Sequence, residues 1–271
     1  MYRERIKEHC GSAANILALR RAPEFGARLF VADHLRGKRL VRMLGAVDGS
    51  GMVMEQSAMD LLRPERLVYG YERLMLAAFA MVPEPRSALL LGLGGGAMWR
   101  HLHAYLPDCA LTIVERSPEV RAFARRYFHL KHPVILADAA EVAARSRGAF
   151  DVVLVDLYDG GGAATMPTRF WQTCVEALSP GGCIAVNWAE FVSRDTRAAE
   201  ARTVTKAAGR ACFLVERHSR PNIIQLAPIP RRLSLDEVRQ RYRRFARAHR
   251  LPKEDRDTFS RANLRWRYPV I

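Results

Sequence analysis

The stretch Leu89-Leu90-Leu91-Gly92-Leu93-Gly94-Gly95-Gly96-Ala97-Met98-Trp99-Arg100 reads as a buried strand that runs into a glycine turn and then a helix. Glycine lets the backbone press close to a neighbour and take angles that other residues avoid. Alone the run says little, because any tight strand-to-helix turn can use it. Its sequel adds weight. The apolar run Ala110-Leu111-Thr112-Ile113-Val114 ends in Glu115. That acid lies about 20 residues on, where a nucleoside-binding α/β fold keeps a carboxylate for the ribose hydroxyls.

Downstream, strand and helix patterns alternate. Strands are predicted at 88–93, 110–115, 133–137, 151–156 and 183–188, with helices near 96–106, 118–129, 139–146 and 168–178. Such alternation implies an α/β fold: a Rossmann-like, mostly parallel sheet with helices on both faces. Ser117-Pro118-Glu119 supplies a cap, a first-turn proline and an acid at the positive helix end. Ser179-Pro180-Gly181-Gly182 reads as a helix stop. After a helix over about 192–209, the runs 212–216 and 222–226 lie too close for a crossover helix. They predict a terminal antiparallel hairpin. A basic helix is expected over about 234–249.

Upstream, residues 1–26 lack strong periodicity. Short strands over 28–32, 39–44 and 52–55, with the turn Asp48-Gly49-Ser50-Gly51, argue for a small antiparallel unit. Pro64 suits a first helical turn, and Glu65 to Met81 carries apolar residues at helical spacing. Pro83 and Pro85 then break the chain. Three parts are therefore expected: an N-terminal β unit with a helix (1–82), a Rossmann-like nucleoside-binding domain (83–230) and a basic helical tail packed on it (231–271).

The 271 residues suit one large domain with an appendage. No run of 18 apolar residues exists, so no membrane span is expected. The start Met1-Tyr2-Arg3-Glu4-Arg5-Ile6 has no apolar core of a secretory signal. Five scattered cysteines without a CxxC pair suggest reduced thiols and a cytoplasmic home. Cys109 and the His101-x-His103 pair do not make a metal site, because residues two apart on a helix point away from each other. The tryptophans read as packing groups. The net charge is +15, and residues 231–271 hold thirteen Lys/Arg against five Asp/Glu. Such a face could meet nucleic acid or an acidic partner. The plainer reading is a solvated helix, since no aromatic-interleaved RNA motif accompanies it.

Ligands of open α/β sheets sit beyond the carboxyl ends of the strands. There stand the glycine turn, Glu115, Asp138, Asp156 and Asp159. Asp138 with Glu141 also fits a helix cap, and Asp156 and Asp159 before Gly160-Gly161-Gly162 could form a turn. As functional groups they would bind a cation. An amine must lose a proton before it attacks, and a carboxylate can orient it and accept that proton. Two acids raise affinity for a multiply charged amine.

These residues resemble the spermidine synthase family of aminopropyltransferases, which share the fold of S-adenosylmethionine-dependent methyltransferases. The resemblance covers roughly 28–228. It rests on Gly92 to Gly96, Glu115, Asp138, Asp156-Leu157-Tyr158-Asp159, and upstream on Gln56-Ser57-Ala58-Met59 and Tyr69-Gly70-Tyr71-Glu72-Arg73-Leu74-Met75. It implies that Gly92 and Gly94 line a sulfonium nucleoside, Glu115 holds its ribose, and Asp138 faces its adenine. Gln56 would lie near the aminopropyl or methionine end. Asp156 would accept the proton, with Asp159 and Tyr71 positioning the amine. The implied co-substrate is decarboxylated S-adenosylmethionine, or intact S-adenosylmethionine, with no metal. The implied partners are a small amine and a second copy of the chain in a dimer. The chain departs from the family at Gly95, where an Asp is usual, at Glu72, where His or Gln is common, and at Gly160, where Pro is usual. The nucleoside half thus matches better than the amine half. Three readings stay open: an aminopropyltransferase, a methyltransferase on the same scaffold, and a catalytically idle binding relative.

Overall fold

The strand that opens the glycine turn, β5 (Ser87–Leu91), is apolar on both faces and lies in the middle of an eight-stranded sheet. A continuous apolar run is what a strand covered on both sides requires. In the computed structural model, described over residues 1–157, 166–188, 194–209, 211–215, 222–228, 233–261 and 263–265, β5 has parallel neighbours on each side. On one side lie β6 (Ala110–Glu115) and β7 (Ile135–Leu136). On the other lie β8 (Phe150–Val155) and β9 (Leu178–Trp188). Beyond β9 the direction reverses through β11 (Ile223–Ala227), β10 (Cys212–Val215) and β12 (Asn263–Arg265). Chain order therefore switches between β5 and β8, and a ligand crevice opens at such a switch.

The crossover helices are α4 (Ala97–Tyr105), α5 (Pro118–Tyr127), α6 (Ala139–Ala144), α7 (Thr168–Glu176) and α8 (Arg194–Ala208). α5 starts as expected: Ser117 Oγ accepts from the Val120 N–H and Pro118 stands in the first turn. The expected helix stop at Ser179-Pro180-Gly181-Gly182 is corrected. α7 ends earlier, at Glu176, and the Pro-Gly-Gly segment lies within β9 as an irregularity between the pairs Phe150–Leu178 and Val152–Cys183. A proline and two glycines fit a bulge as well as a helix end.

A second, four-stranded antiparallel sheet precedes this one: β1 (Asn15–Ala22), β2 (Ala27–Arg36), β3 (Arg39–Asp48) and β4 (Val53–Asp60). Its first strand and the helix α1 (Tyr2–Cys10) fall in the region whose pattern gave no periodicity. They form because Ile6 and Cys10 bury against Phe30, Ala32, Met43 and Val47 on one sheet face. The other face, with Leu29, Val31, Leu44 and Met59, joins the apolar cluster under the large sheet. The helix expected over Glu65 to Met81 is instead two short ones, α2 (Gly70–Met75) and α3 (Ala77–Met81).

The C-terminal segment folds back as α9 (Leu235–Ala248), α10 (Lys253–Arg256) and α11 (Thr258–Arg261). Ser234 and Glu237 form a capping box at the start of α9. Val238, Tyr242 and Ala246 bury into the main cluster while Arg243, Arg244 and Arg247 stay exposed. The arginines are thus the wet face of an amphipathic helix. No described helix is long and apolar enough to cross a membrane. All five cysteines are buried and unpaired.

Candidate active site

At the switch, Gly92 has φ +100°, and a Cβ there would lie 2.1 Å from the Asp156 carbonyl oxygen. The Asp156 N–H donates to the Leu91 carbonyl at 2.9 Å. Glycine is therefore demanded at 92 by the neighbouring strand exit. Gly94, at φ +52°, packs on Ser57 and the Gln56 carbonyl of β4. The small sheet thus delivers Gln56 and Ser57 directly onto the glycine turn.

Glu115 closes β6 and is fixed by two backbone donors. Its Oε2 accepts from Leu93 N–H at 3.2 Å and its Oε1 from Ser117 N–H at 2.8 Å. Burial raises its pKa above the ordinary value, against those two bonds. Each oxygen keeps a lone pair for a further donor. Asp138 is exposed at the N-cap of α6, where its Oδ1 accepts from Ala140 N–H at 2.7 Å. The structure therefore gives Asp138 the helix-cap role at the exit of β7.

Asp156 follows β8 and is half-buried. Its Oδ2 accepts from the Tyr71 hydroxyl at 3.1 Å and its Oδ1 from Asn187 Nδ2 at 2.8 Å. Asn187 in turn accepts from Asn222 Nδ2 at 2.9 Å. Burial raises the Asp156 pKa, and the two hydrogen bonds pull it back only in part. Tyr71 is held well above its ordinary pKa by burial and then by the Asp156 charge, so it stays a donor. Tyr158 and Asp159 lie outside the described residues. Asn187, missed in the sequence reading, sits at the carboxyl end of β9. The rule that singled out Glu115 and Asp156 at strand exits would have found it.

Tyr71 is itself supported. Its ring stacks on Tyr69 with centroids 5.9 Å apart. The Tyr69 hydroxyl donates to Glu55 at 2.7 Å, and Glu55 also meets Arg36 at 2.7 Å and His9 at 3.0 Å. Burial would raise the Glu55 pKa, but the bonds from His9, Tyr69 and Arg36 overcome it and bring it to about 2.

Glu72 is buried, and one oxygen accepts from the Tyr69 N–H at 3.1 Å in a capping box. Burial, with the Asp156 charge adding, pushes its pKa up to about 8. A side chain at Gly95 would be crowded. A Cβ at Gly95 would lie 2.9 Å from the Phe128 ring and 3.0 Å from Ser57 Oγ. Beneath the turn, Arg100 donates to the carbonyls of Gly95 at 2.6 Å, Phe128 at 2.9 Å and Pro64 at 3.0 Å. Burial pulls its pKa down to about 10, against the charge of Glu72.

Three features suit a ligand that carries both hydrogen-bonding groups and a positive charge. The Glu115 carboxylate retains acceptor capacity. Gln56 Nε2 is buried and has no partner among the described residues. The acids Asp156 and Glu72 lie near enough for the charge of one to raise the pKa of the other. A ligand acceptor would satisfy Gln56, since a buried unpaired donor is costly.

The sequence over residues 89–186 matches the pattern described as a methyltransferase domain. A polyamine aminopropyltransferase of Chromobacterium violaceum is 32% identical over 204 residues, spanning 69% of this chain and 77% of that one. The chain is also similar in fold to the crystal structure of spermidine synthase from Thermotoga maritima, with TM-score 0.65 and 14% identity, over 91% of this chain and 87% of that one. Human methyltransferase-like protein 13, solved in complex with SAH, aligns with TM-score 0.58 and 22% identity, over 68% of this chain and 94% of its own.

Proposed function

The chain belongs to the polyamine aminopropyltransferase family, and from that membership we propose that it transfers the propylamine group of decarboxylated S-adenosylmethionine to a small amine. The observation that carries this reading is the Tyr71–Asp156–Asn187 arrangement at the strand switch. In the reaction a nitrogen–carbon bond forms at the propyl carbon as the carbon–sulfur bond breaks, releasing methylthioadenosine. The acceptor's ammonium must first surrender a proton. Asp156 takes it, and its raised pKa makes it a better base than an exposed carboxylate. Tyr71 and Asn187 each bind one oxygen, which fixes the direction of the remaining lone pairs.

Glu115 would hold the ribose hydroxyls, with Gly92, Gly94 and Gln56 around the sulfur end and Asp138 at the adenine end. Leu136, exposed and in register with Glu115, offers the base an apolar face. Glu72 supplies the second acid of the amine half. A bound ammonium would draw out its proton, so amine binding releases a proton near neutrality. Asp159 is assigned to the amine side by its motif.

One observation favours a methyltransferase as the second reading: Gly95 replaces an amine-binding acid and its surroundings are filled by Phe128 and Ser57. Calorimetry with decarboxylated and intact S-adenosylmethionine, followed by a methylthioadenosine assay with a panel of diamines, decides between them. The aminopropyltransferase reading expects tighter binding of the decarboxylated donor and amine-dependent release of methylthioadenosine. Preference for the intact donor with no release would overturn it.

A further inference from the structure

The C-terminal segment, expected from the sequence as a basic helical tail, carries a buried acid. Asp255 of α10 is fully buried, as is His101 of α4. Asp255 Oδ1 accepts from Arg73 Nε of α2 at 3.0 Å. A second Arg73 nitrogen donates to the Leu67 carbonyl. The Tyr242 hydroxyl of α9 donates to the Asp255 carbonyl at 3.1 Å. His101 Nδ1 lies 3.0 Å from the Glu65 carbonyl, which can only accept, so that nitrogen bears the proton. The neutral ring then turns its bare Nε2 toward Asp255 Oδ2, 4.0 Å away, and neither atom has a hydrogen-bond partner among the described residues. Arg66, Glu254 and Tyr105 complete the charged and titratable surroundings. Among the described residues Asp255 therefore has one strong side-chain partner, and that partner is on α2.

α2 spans six residues. A helix that short does not hold itself, so its rotation is set by its anchors. Leu74 and Met75 are apolar anchors, and Tyr69 is tied to Glu55. Arg73 is the directional anchor within the helix itself on the side away from Tyr69, two residues beyond the Tyr71 that bonds Asp156. We propose that Asp255 is a positioning residue: through Arg73 it fixes the orientation of α2 and so holds the Tyr71 hydroxyl on Asp156. The C-terminal segment is thereby part of the amine half of the site. The catalytic consequence rests on the aminopropyl-transfer reading; the structural coupling does not.

A bridge that served stability alone would be replaceable. Exchanging a buried ion pair for apolar groups of similar size is often neutral or stabilising, whereas removing one partner strands a charge. The test is therefore the double variant Arg73→Met with Asp255→Leu. Melting temperature, donor affinity by calorimetry, amine KM and kcat, and amide exchange over residues 69–75 are measured beside the unaltered protein. The expected result is an unchanged or higher melting temperature and unchanged donor affinity. Amine KM should rise about tenfold, and amide protection over 69–75 should fall about tenfold. Unchanged amine KM and protection in the folded double variant would overturn the proposal. If the unaltered protein transfers no aminopropyl group, the functional reading fails. Amide exchange alone then decides the coupling, and retained protection overturns it.

Discussion

Asp156 has both carboxylate oxygens bonded by neutral donors, and among the described residues no cation pairs with it. Its replacement by Asn keeps the shape but removes the base. Asp156→Asn should lower kcat by about 10²–10⁴ while leaving donor affinity unchanged; a single-turnover assay reading a loss below tenfold would remove Asp156 as proton acceptor. Glu115 works on the other substrate. Glu115→Ala frees the Leu93 and Ser117 N–H groups and deletes the ribose acceptor. Donor affinity by calorimetry should drop about tenfold to a hundredfold, the worth of one charge-assisted hydrogen bond, with amine KM at saturating donor little changed.

At the level of elements, the glycine turn is squeezed from two sides. β4 presses Ser57 against it, and Phe128 at the end of α5 covers Gly95. Gly95→Asp, which restores the usual family residue, should therefore behave as overpacking. It should cost about 1–3 kcal/mol of stability and give no gain in amine affinity. Thermal denaturation and amine KM measured together check this; tighter amine binding at an unaltered melting temperature would mean that the Phe128 ring yields. The same squeeze explains why β4 belongs to the site. A strand from the small sheet places Gln56 where its Nε2 has no partner among the described residues.

Across the whole molecule, the buried acids set how stability follows pH. Glu72 titrates at about 8 in the native state against an ordinary 4.5, so the native state keeps a proton that the unfolded chain has released. Stability from this group is complete at low pH and declines as pH climbs from 4.5 through 8. Asp255, raised to about 6, loses stability over the lower window. His101, lowered to about 4, gains it there, because the unfolded ring takes up a proton below 6.5. These two oppose each other below pH 6.5. Between pH 6.5 and 8 Glu72 is left to dominate, with a decline of about 2 kcal/mol. Glu72→Gln should flatten that decline in calorimetric scans at pH 6.5 and 8 and should also weaken amine binding. The α2 segment bearing Glu72 is braced from both ends of the chain, by His9 through Glu55 and Tyr69 and by Asp255 through Arg73.

By itself the sequence determined the α/β alternation, the glycine turn, the strand-exit acids Glu115 and Asp156, and the antiparallel hairpin. Each is written in local patterns: apolar runs, glycine spacing and capping residues act within a few residues of themselves. It also carried the resemblance that led to the family. Only tertiary structure decided the rest. α1 and β1 exist because they cover one face of the small sheet, which no periodicity announces. The stretch 65–81 breaks into two helices because α2 must meet β9, β11 and α11, while Leu76 turns the chain between them. The pairing of Tyr71 with Asp156 spans 85 positions, and that of Arg73 with Asp255 spans 182. Contacts at such separations leave no local mark, since they depend on where the packed sheets and helices bring the chain back to itself.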